Sequence, residues 1–219
     1  MTMVSDLILI GSGRHSHACI DVIEQCGTHK ICGLIGLPEE VGKCVQGYPV
    51  AGSDTNIEGM KRPDLMAFVC LGQTKSAYAR RKAFDYLKEL EFEVPSFLSG
   101  RAHVARSCHV DEGVIAMPLS HLGANVIVGK NCIINSGAIV EHDAVIAPHC
   151  HISTNATVNG SCKIGEGTFV GSGAVVRDGV TIGTNSVIGM GVVVNNDLPD
   201  DTLIRMSGSS FQIETLNLD

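Results

Sequence analysis

His142 is the residue of this sequence best equipped for chemistry. It stands between two acids, Glu141 and Asp143, two places after the aliphatic Val140. Flanking carboxylates hold an imidazole in one tautomer and stabilise its protonated form, as a general base requires. Such a base takes a proton from an attacking amine or hydroxyl and contributes on the order of 10²–10⁴-fold. The same spacing suits a solvated histidine in a surface bend, and spacing alone leaves both readings open. His149 and His151 follow closely and raise the question of a metal. They sit two apart across a bend with no carboxylate to form an outer shell, so no metal is expected. His103, His109 and His121 follow the rhythm of the surrounding chain and read as exposed wall residues.

A second cluster lies near the N-terminus. The apolar run Leu7–Ile10 ends in Gly11-Ser12-Gly13-Arg14-His15, after which Ala18, Cys19, Val22, Ile23 and Cys26 mark one helical face. A strand, a glycine-rich turn and a helix N-terminus together present N–H groups to a phosphate. The third glycine of the dinucleotide fingerprint is missing, and no acid ends the second strand to hold a ribose. Arg14 pairs with a diphosphate or is a plain surface arginine; the sequence leaves both standing.

The elements that must carry these groups are read from two patterns. Positions 104, 110, 116 and so on to 194 are Val, Ile or Leu, with Ala116 as the exception. Four places after each, the residue is small or β-branched, apart from Leu198. Gly, Asn and Asp recur between them, as bends that visit positive φ require. Sixteen consecutive sixes without an insertion mark a parallel β-helix solenoid. His142, two places beyond a core aliphatic, then faces outward. Before the repeat, strands at about Leu7–Ile10, Lys30–Ile35 and Met66–Leu71, a helix over roughly Thr74–Leu90 and a closing segment Glu93–Leu98 predict a small α/β unit with three or four parallel strands. The division is 1–99 for this Rossmann-like α/β domain and 100–219 for the solenoid with its tail. Arg205–Gly208 reads as a polar, flexible stretch covering the last coil.

Composition narrows the function classes. Hydrophobic content is 44% but aromatics only 4%, which suits stacked aliphatics. A formal charge of −7 offers no basic stripe to nucleic acid. No stretch reaches membrane-span length, and Met1–Asp6 lacks the basic start of a signal peptide. Nine cysteines, odd in number and without a C-x-x-C pair, predict reduced thiols in the cytoplasm. Cys108, Cys132, Cys150 and Cys162 fill small-residue slots, so no nucleophilic cysteine is expected.

With these residues in view, the chain resembles the hexapeptide-repeat acyltransferases. The resemblance implies a left-handed solenoid with three sixes per coil, a little over five coils here. Asn135–Asp143 with Cys150–Ser153 is similar to one subfamily that carries a small nucleotide-binding-like domain in front. It includes N-acetyltransferases of nucleotide-linked 4-amino-sugars (the bacillosamine pathway type) and the sialic acid O-acetyltransferase type. The resemblance implies His142 as catalytic base, Asp143 as its orienting partner and Asn135 near the sugar, with Glu141 beside it. It implies His151 near the thioester carbonyl of acetyl-CoA, and Gly160, Gly171, Ser172, Gly189 and Met190 along the coenzyme. Gly11, Ser12, Gly13, Arg14 and His15 match the nucleotide-sugar site, with a UDP-linked 4-amino-4,6-dideoxy sugar as the expected acceptor. The family turn usually reads Gly-x-x-Gly-His-Gly, whereas Arg14 and Ser16 stand at its fourth and sixth places. The usual Gly-x-Pro-Ala-Lys ending is replaced by Met206–Ser210. These departures bear on the nucleotide and leave acyl transfer untouched.

His142 and His151 are nine residues apart, half a coil, so they share a site only across a groove between subunits. A homotrimer supplies that groove by cyclic symmetry. Two other readings remain: O-acetylation of a sialic acid, and a non-catalytic solenoid acting as a scaffold.

Overall fold

A computed structural model describes residues 5–207 and 210–216. The N-terminal unit is built on β1 (Ser5–Ile10), followed by α1 (Arg14–Cys26), β2 (His29–Gly36), β3 (Cys44–Val45), β4 (Tyr48–Ser53), the one-turn α2 (Ile57–Met60), β5 (Leu65–Val69) and α3 (Tyr78–Glu89). The strand order is β3-β4-β2-β1-β5, with only β3 antiparallel to its neighbour. Alternation along β1 splits its side chains between two layers. Leu7 and Leu9 join α1 residues Ile20 and Ile23, while Ile8 joins Phe84 and Leu87 of α3. Strands β3 and β4 were not anticipated, because Pro49 and Gly52 interrupt the apolar pattern that marks a strand.

From Phe97 to Val194 the chain forms seventeen two-residue strands wound as a left-handed β-helix. Its first face stacks Phe97–Leu98, Ile115–Ala116, Ile133–Ile134, His151–Ile152, Phe169–Val170 and Val187–Ile188. The second face runs from His103–Val104 to Val193–Val194, the third from His109–Val110 to Thr181–Ile182. Each strand pairs in parallel with the one eighteen residues on, as in Leu122↔Val140↔Val158. The predicted aliphatic of each six is the inward residue of its strand, and from Ala116 to Val194 none is more than 2% exposed except where the core ends. Cys132, Cys150 and Cys162 are buried among the small-residue slots as expected.

Two segments differ from the sequence reading. Phe97–Leu98 pairs with Ile115–Ala116, so it opens the solenoid instead of closing the α/β unit. Leu98 is in phase with Val104, six places later, and gives the signal. The stretch Arg205–Ser207 covers the last coil as regular structure: it belongs to the strand Thr202–Ser207, which adds in parallel to Val187–Ile188 and pairs antiparallel with Ser210–Thr215. Ile204, 5% exposed, closes the end of the core. Gly208 lies outside the described residues.

The two units share one core. Phe97, Ile115 and Ile133 of the first solenoid face pack with Leu7, Leu9 and Phe68 of the α/β unit. Arg80 of α3, 1% exposed, spans the junction. Its guanidinium donates to the carbonyls of Val69 (2.7 Å) and Leu71 (2.9 Å) on one side and Asn131 (3.1 Å) on the other. A buried cation bonded to three carbonyls, although its Nη2 has no partner, ties the two units together.

Candidate active site

His142 sits at the corner between the second and third faces. Asp143, the next residue, takes a left-handed backbone conformation (φ 59°), which short polar residues tolerate. The bend brings its carboxylate to 2.9 Å from His142 Nδ1. Asn125, one coil earlier, donates to the other Asp143 oxygen at 2.9 Å and so fixes the carboxylate. That donor, then His142, holds the Asp143 carboxyl below the usual range. The Asp143 hydrogen bond, followed by the charges of Asp143, Asp178 and Glu141, raises His142 above its ordinary value. The imidazole is exposed, Nδ1 is engaged and Nε2 is left for a substrate. Such an arrangement accepts a proton and stabilises the resulting cation.

Gly160 lies against this ring. A Cβ there would stand 2.7 Å from His142 Cε1 and 2.8 Å from Nε2, so glycine leaves room for the ring where it stands. Gly160 therefore lies with His142. The other residues expected along the coenzyme occupy a different ridge, the corner between the first and second faces. Gly171, Gly189, Ser172 and Met190 line up there below Asn135, with Met190 78% exposed. Ser172 Oγ lies 3.0 Å from Ser153 Oγ.

His151 is held by the neighbouring α/β unit. It is buried on the first face beneath the α/β unit. Its Nδ1–H donates to the Gln73 carbonyl at 2.7 Å, and Nε2 accepts from Asn135 Nδ2 at 3.0 Å. The Asn135 amide is oriented by Ser136 N–H, which donates to Oδ1 at 2.8 Å, so the His151 tautomer follows. Both ring nitrogens are used, and burial lowers the ring to about 4. The structure thus joins His151 to Asn135 and to His15, whose ring centroid is 6.4 Å away, and not to His142. His149 turns elsewhere again, bonded to Asn131 and edge-on to Phe84. Among the described residues no three His, Cys, Asp or Glu side chains gather as metal ligands.

The glycine-rich turn opens on a cavity of about 710 Å³ between β1, β2 and α3. Gly11, Ser12 and Gly13 line it, while Arg14 and His15 lie outside its lining. Gly11 has φ 109°, and a Cβ on it would meet Leu71 Cδ2 at 2.7 Å, so the turn closes only around glycine. No acid stands at the end of β2, but one four residues beyond it returns to the turn. Glu40, from the turn Pro38–Glu40, reaches back to accept from Ser12 Oγ at 2.6 Å and Leu37 N–H at 2.9 Å. Those two donors, Ser12 first, lower its carboxyl. Asp54, Tyr78, Lys82 and Tyr86 complete the polar lining. Helix α3 begins at Tyr78, four residues later than predicted, and Ala79 and Ala83 line this cavity, Ala83 while also packing against the core. Sequence periodicity could not separate a core face from a cavity wall.

Comparison with known proteins agrees with this geometry. Residues 6–87 match the PglD N-terminal domain, residues 121–147 the hexapeptide repeat of succinyl-transferase, and residues 161–196 the bacterial transferase hexapeptide (six repeats). The chain is similar to a histidine-to-alanine variant of GDP-perosamine N-acetyltransferase from Caulobacter crescentus, crystallised with CoA and GDP-perosamine. Identity is 29% over 97% of this chain and 98% of that one, with a TM-score of 0.88. It is similar also to the acetyltransferase domain of PglB from Neisseria gonorrhoeae in complex with acetyl coenzyme A, at 26% identity over 96% and 99% of the two chains and a TM-score of 0.85. WeeI from Acinetobacter baumannii, 21% identical over 96% and 100% of the chains with a TM-score of 0.82, has the same fold. These likenesses identify an acyltransferase with acetyl-CoA as co-substrate. Its N-terminal region thus matches the PglD N-terminal domain and its solenoid the hexapeptide repeats of transferases, and over nearly its whole length the chain is similar to sugar acetyltransferases.

Proposed function

We propose that the chain transfers the acetyl group of acetyl-CoA to the amine of a nucleoside-diphosphate-linked 4-amino-4,6-dideoxy sugar. The observation that carries this reading is the His142–Asp143 pair, an exposed imidazole with Nδ1 held and Nε2 open. His142 takes a proton from the acceptor nitrogen as it attacks the thioester carbonyl. The C–S bond breaks, CoA leaves as thiolate, and Asp143 and Glu141 stabilise the imidazolium. No covalent intermediate on the enzyme is required, and the solenoid cysteines face its interior.

The cavity beside Gly11–Gly13 supports a nucleotide at the N-terminus of α1, where N–H groups favour phosphate. The sequence resemblance favours UDP, whereas the Caulobacter enzyme holds GDP-perosamine. Thermal shifts with UDP- and GDP-linked sugars assign the base, and a shift with sialic acid alone would favour the O-acetylation reading. A homotrimer fits the separation of the two ridges, since the His142 corner and the Gly171–Gly189 corner border opposite edges of the second face. Exposed Ile139 and Val193 on that face, and Met190 at its edge, support self-association. Nine free cysteines fit a reducing compartment such as the cytoplasm. Among the described residues no helix is long and apolar enough to cross a membrane.

The test is His142→Ala. The folded, assembled variant is expected to lose at least about 10²-fold in acetyl transfer. Wild-type turnover by that variant would overturn the reading.

A further inference from the structure

His142, Gly160 and Asp178 occupy the same corner position on three successive coils, eighteen residues apart. Coils stack about 4.8 Å apart, so Gly160 leaves a notch between the two side chains. Both lean over it. The point where a Gly160 Cβ would stand is 2.8 Å from His142 Nε2 and 2.8 Å from Asp178 Oδ1, which sets those atoms no more than twice 2.8 Å apart. The open nitrogen of the base thus looks across a glycine onto an exposed carboxylate.

We infer that Asp178 anchors the ammonium group of the acceptor at this notch and selects an amine over a hydroxyl. The inference rests on His142 being the base. A protonated amine carries three donors, enough to engage both Nε2 and the carboxylate at once. A hydroxyl carries one, which the base takes, leaving Asp178 against oxygen lone pairs. Asp143 cannot do this work, because His142 Nδ1 and Asn125 already engage its two oxygens.

The proton balance follows. His142 Nε2 takes one proton from the anchored ammonium and frees its lone pair. The nitrogen bonds to the thioester carbon, the C–S bond breaks, and the nitrogen's second proton neutralises the CoA thiolate. The proton on His142 passes to water. Amide, CoA thiol and one released proton are the products.

The experiment is Asp178→Asn in the full chain, with UDP- and GDP-linked 4-amino-4,6-dideoxy sugars and their 4-hydroxy counterparts as acceptors. The expected result is a KM for the amino-sugar raised about tenfold or more, an unchanged KM for acetyl-CoA and a reduced preference for amine over hydroxyl. The acid limb of kcat/KM moves to lower pH as well, because the Asp178 charge helps His142 hold its proton. An unchanged amino-sugar KM, or a change confined to the acetyl-CoA KM, overturns the inference. Asp178→Glu, which keeps the charge, is expected to restore much of the amine preference that Asp178→Asn loses. If His142→Ala is inactive while Asp178→Asn is normal, only this inference falls. If His142→Ala is active, the base assignment falls first.

Discussion

His151 gives the sharpest quantitative prediction. Burial, and secondarily the positive surroundings of His15 and Arg80, push the ring from 6.5 to about 4, although its bond to the Gln73 carbonyl works the other way. Between those values the unfolded chain binds a proton that the folded chain refuses. Stability is therefore intact above 6.5 and falls as pH drops towards 4. At 1.36 kcal/mol per pKa unit the full contribution is about 3 kcal/mol, of which about 2 kcal/mol is lost by pH 5. The perturbation is His151→Gln, which cannot titrate. Urea unfolding of both proteins at about pH 7.5 and about pH 5 isolates the effect, because His149, also lowered to about 4 chiefly by burial, is common to both and cancels. The variant starts less stable, yet it is expected to lose about 2 kcal/mol less than the wild type on acidification. Equal losses would refute a neutral, fully bonded His151.

Other predictions follow from the same geometry. Asp143→Asn removes the main support of the His142 cation, so the acid limb of kcat/KM is expected to move to lower pH while the maximal rate falls; a pH–rate profile with an unmoved limb would count against the pair. Arg80→Met orphans three buried carbonyls and is expected to cost about 3 kcal/mol or more, measured by urea unfolding, with protease sensitivity appearing near residues 71–77. Glu40→Gln weakens the acceptor that Ser12 and Leu37 support, and is expected to raise the KM of the nucleotide-linked acceptor with kcat little changed. Ile152→Ala, fully buried in the solenoid core, is expected to cost about 2–5 kcal/mol by the same unfolding assay.

The solenoid was legible because one rule governs it: each six must place an aliphatic inside and a bend-tolerant residue at a corner. That rule also exposed His142, whose place in the six turns it outward. Other features depend on contacts that sequence spacing does not encode. His151 has the same place in its six as Ile133 and Phe169, above and below it on the first face, but the α/β unit seals that face and so buries the ring. Glu40 was missed because a short turn, not strand length, carries it back to Ser12. Arg80 looks like a surface residue of an amphipathic helix until the solenoid carbonyl of Asn131 is placed against it. Strand β4 was hidden by Pro49 and by Gly52, which sits at a register shift against β2.

The eighteen-residue recurrence of the corner position makes the column a graduated scale. Ala124, His142, Gly160 and Asp178 are successive marks on it, about 4.8 Å apart. Arg80 and Gln73 pin the α/β unit, and with it the cavity beside Gly11–Gly13, at one fixed height against that scale. On the proposed assignment, moving the histidine by one mark, together with the Asp143 and Asn125 that hold it, would shift the point of acylation by one coil. Acceptor reach would then be adjustable in discrete steps by side-chain exchange alone, with no change in the length of the chain.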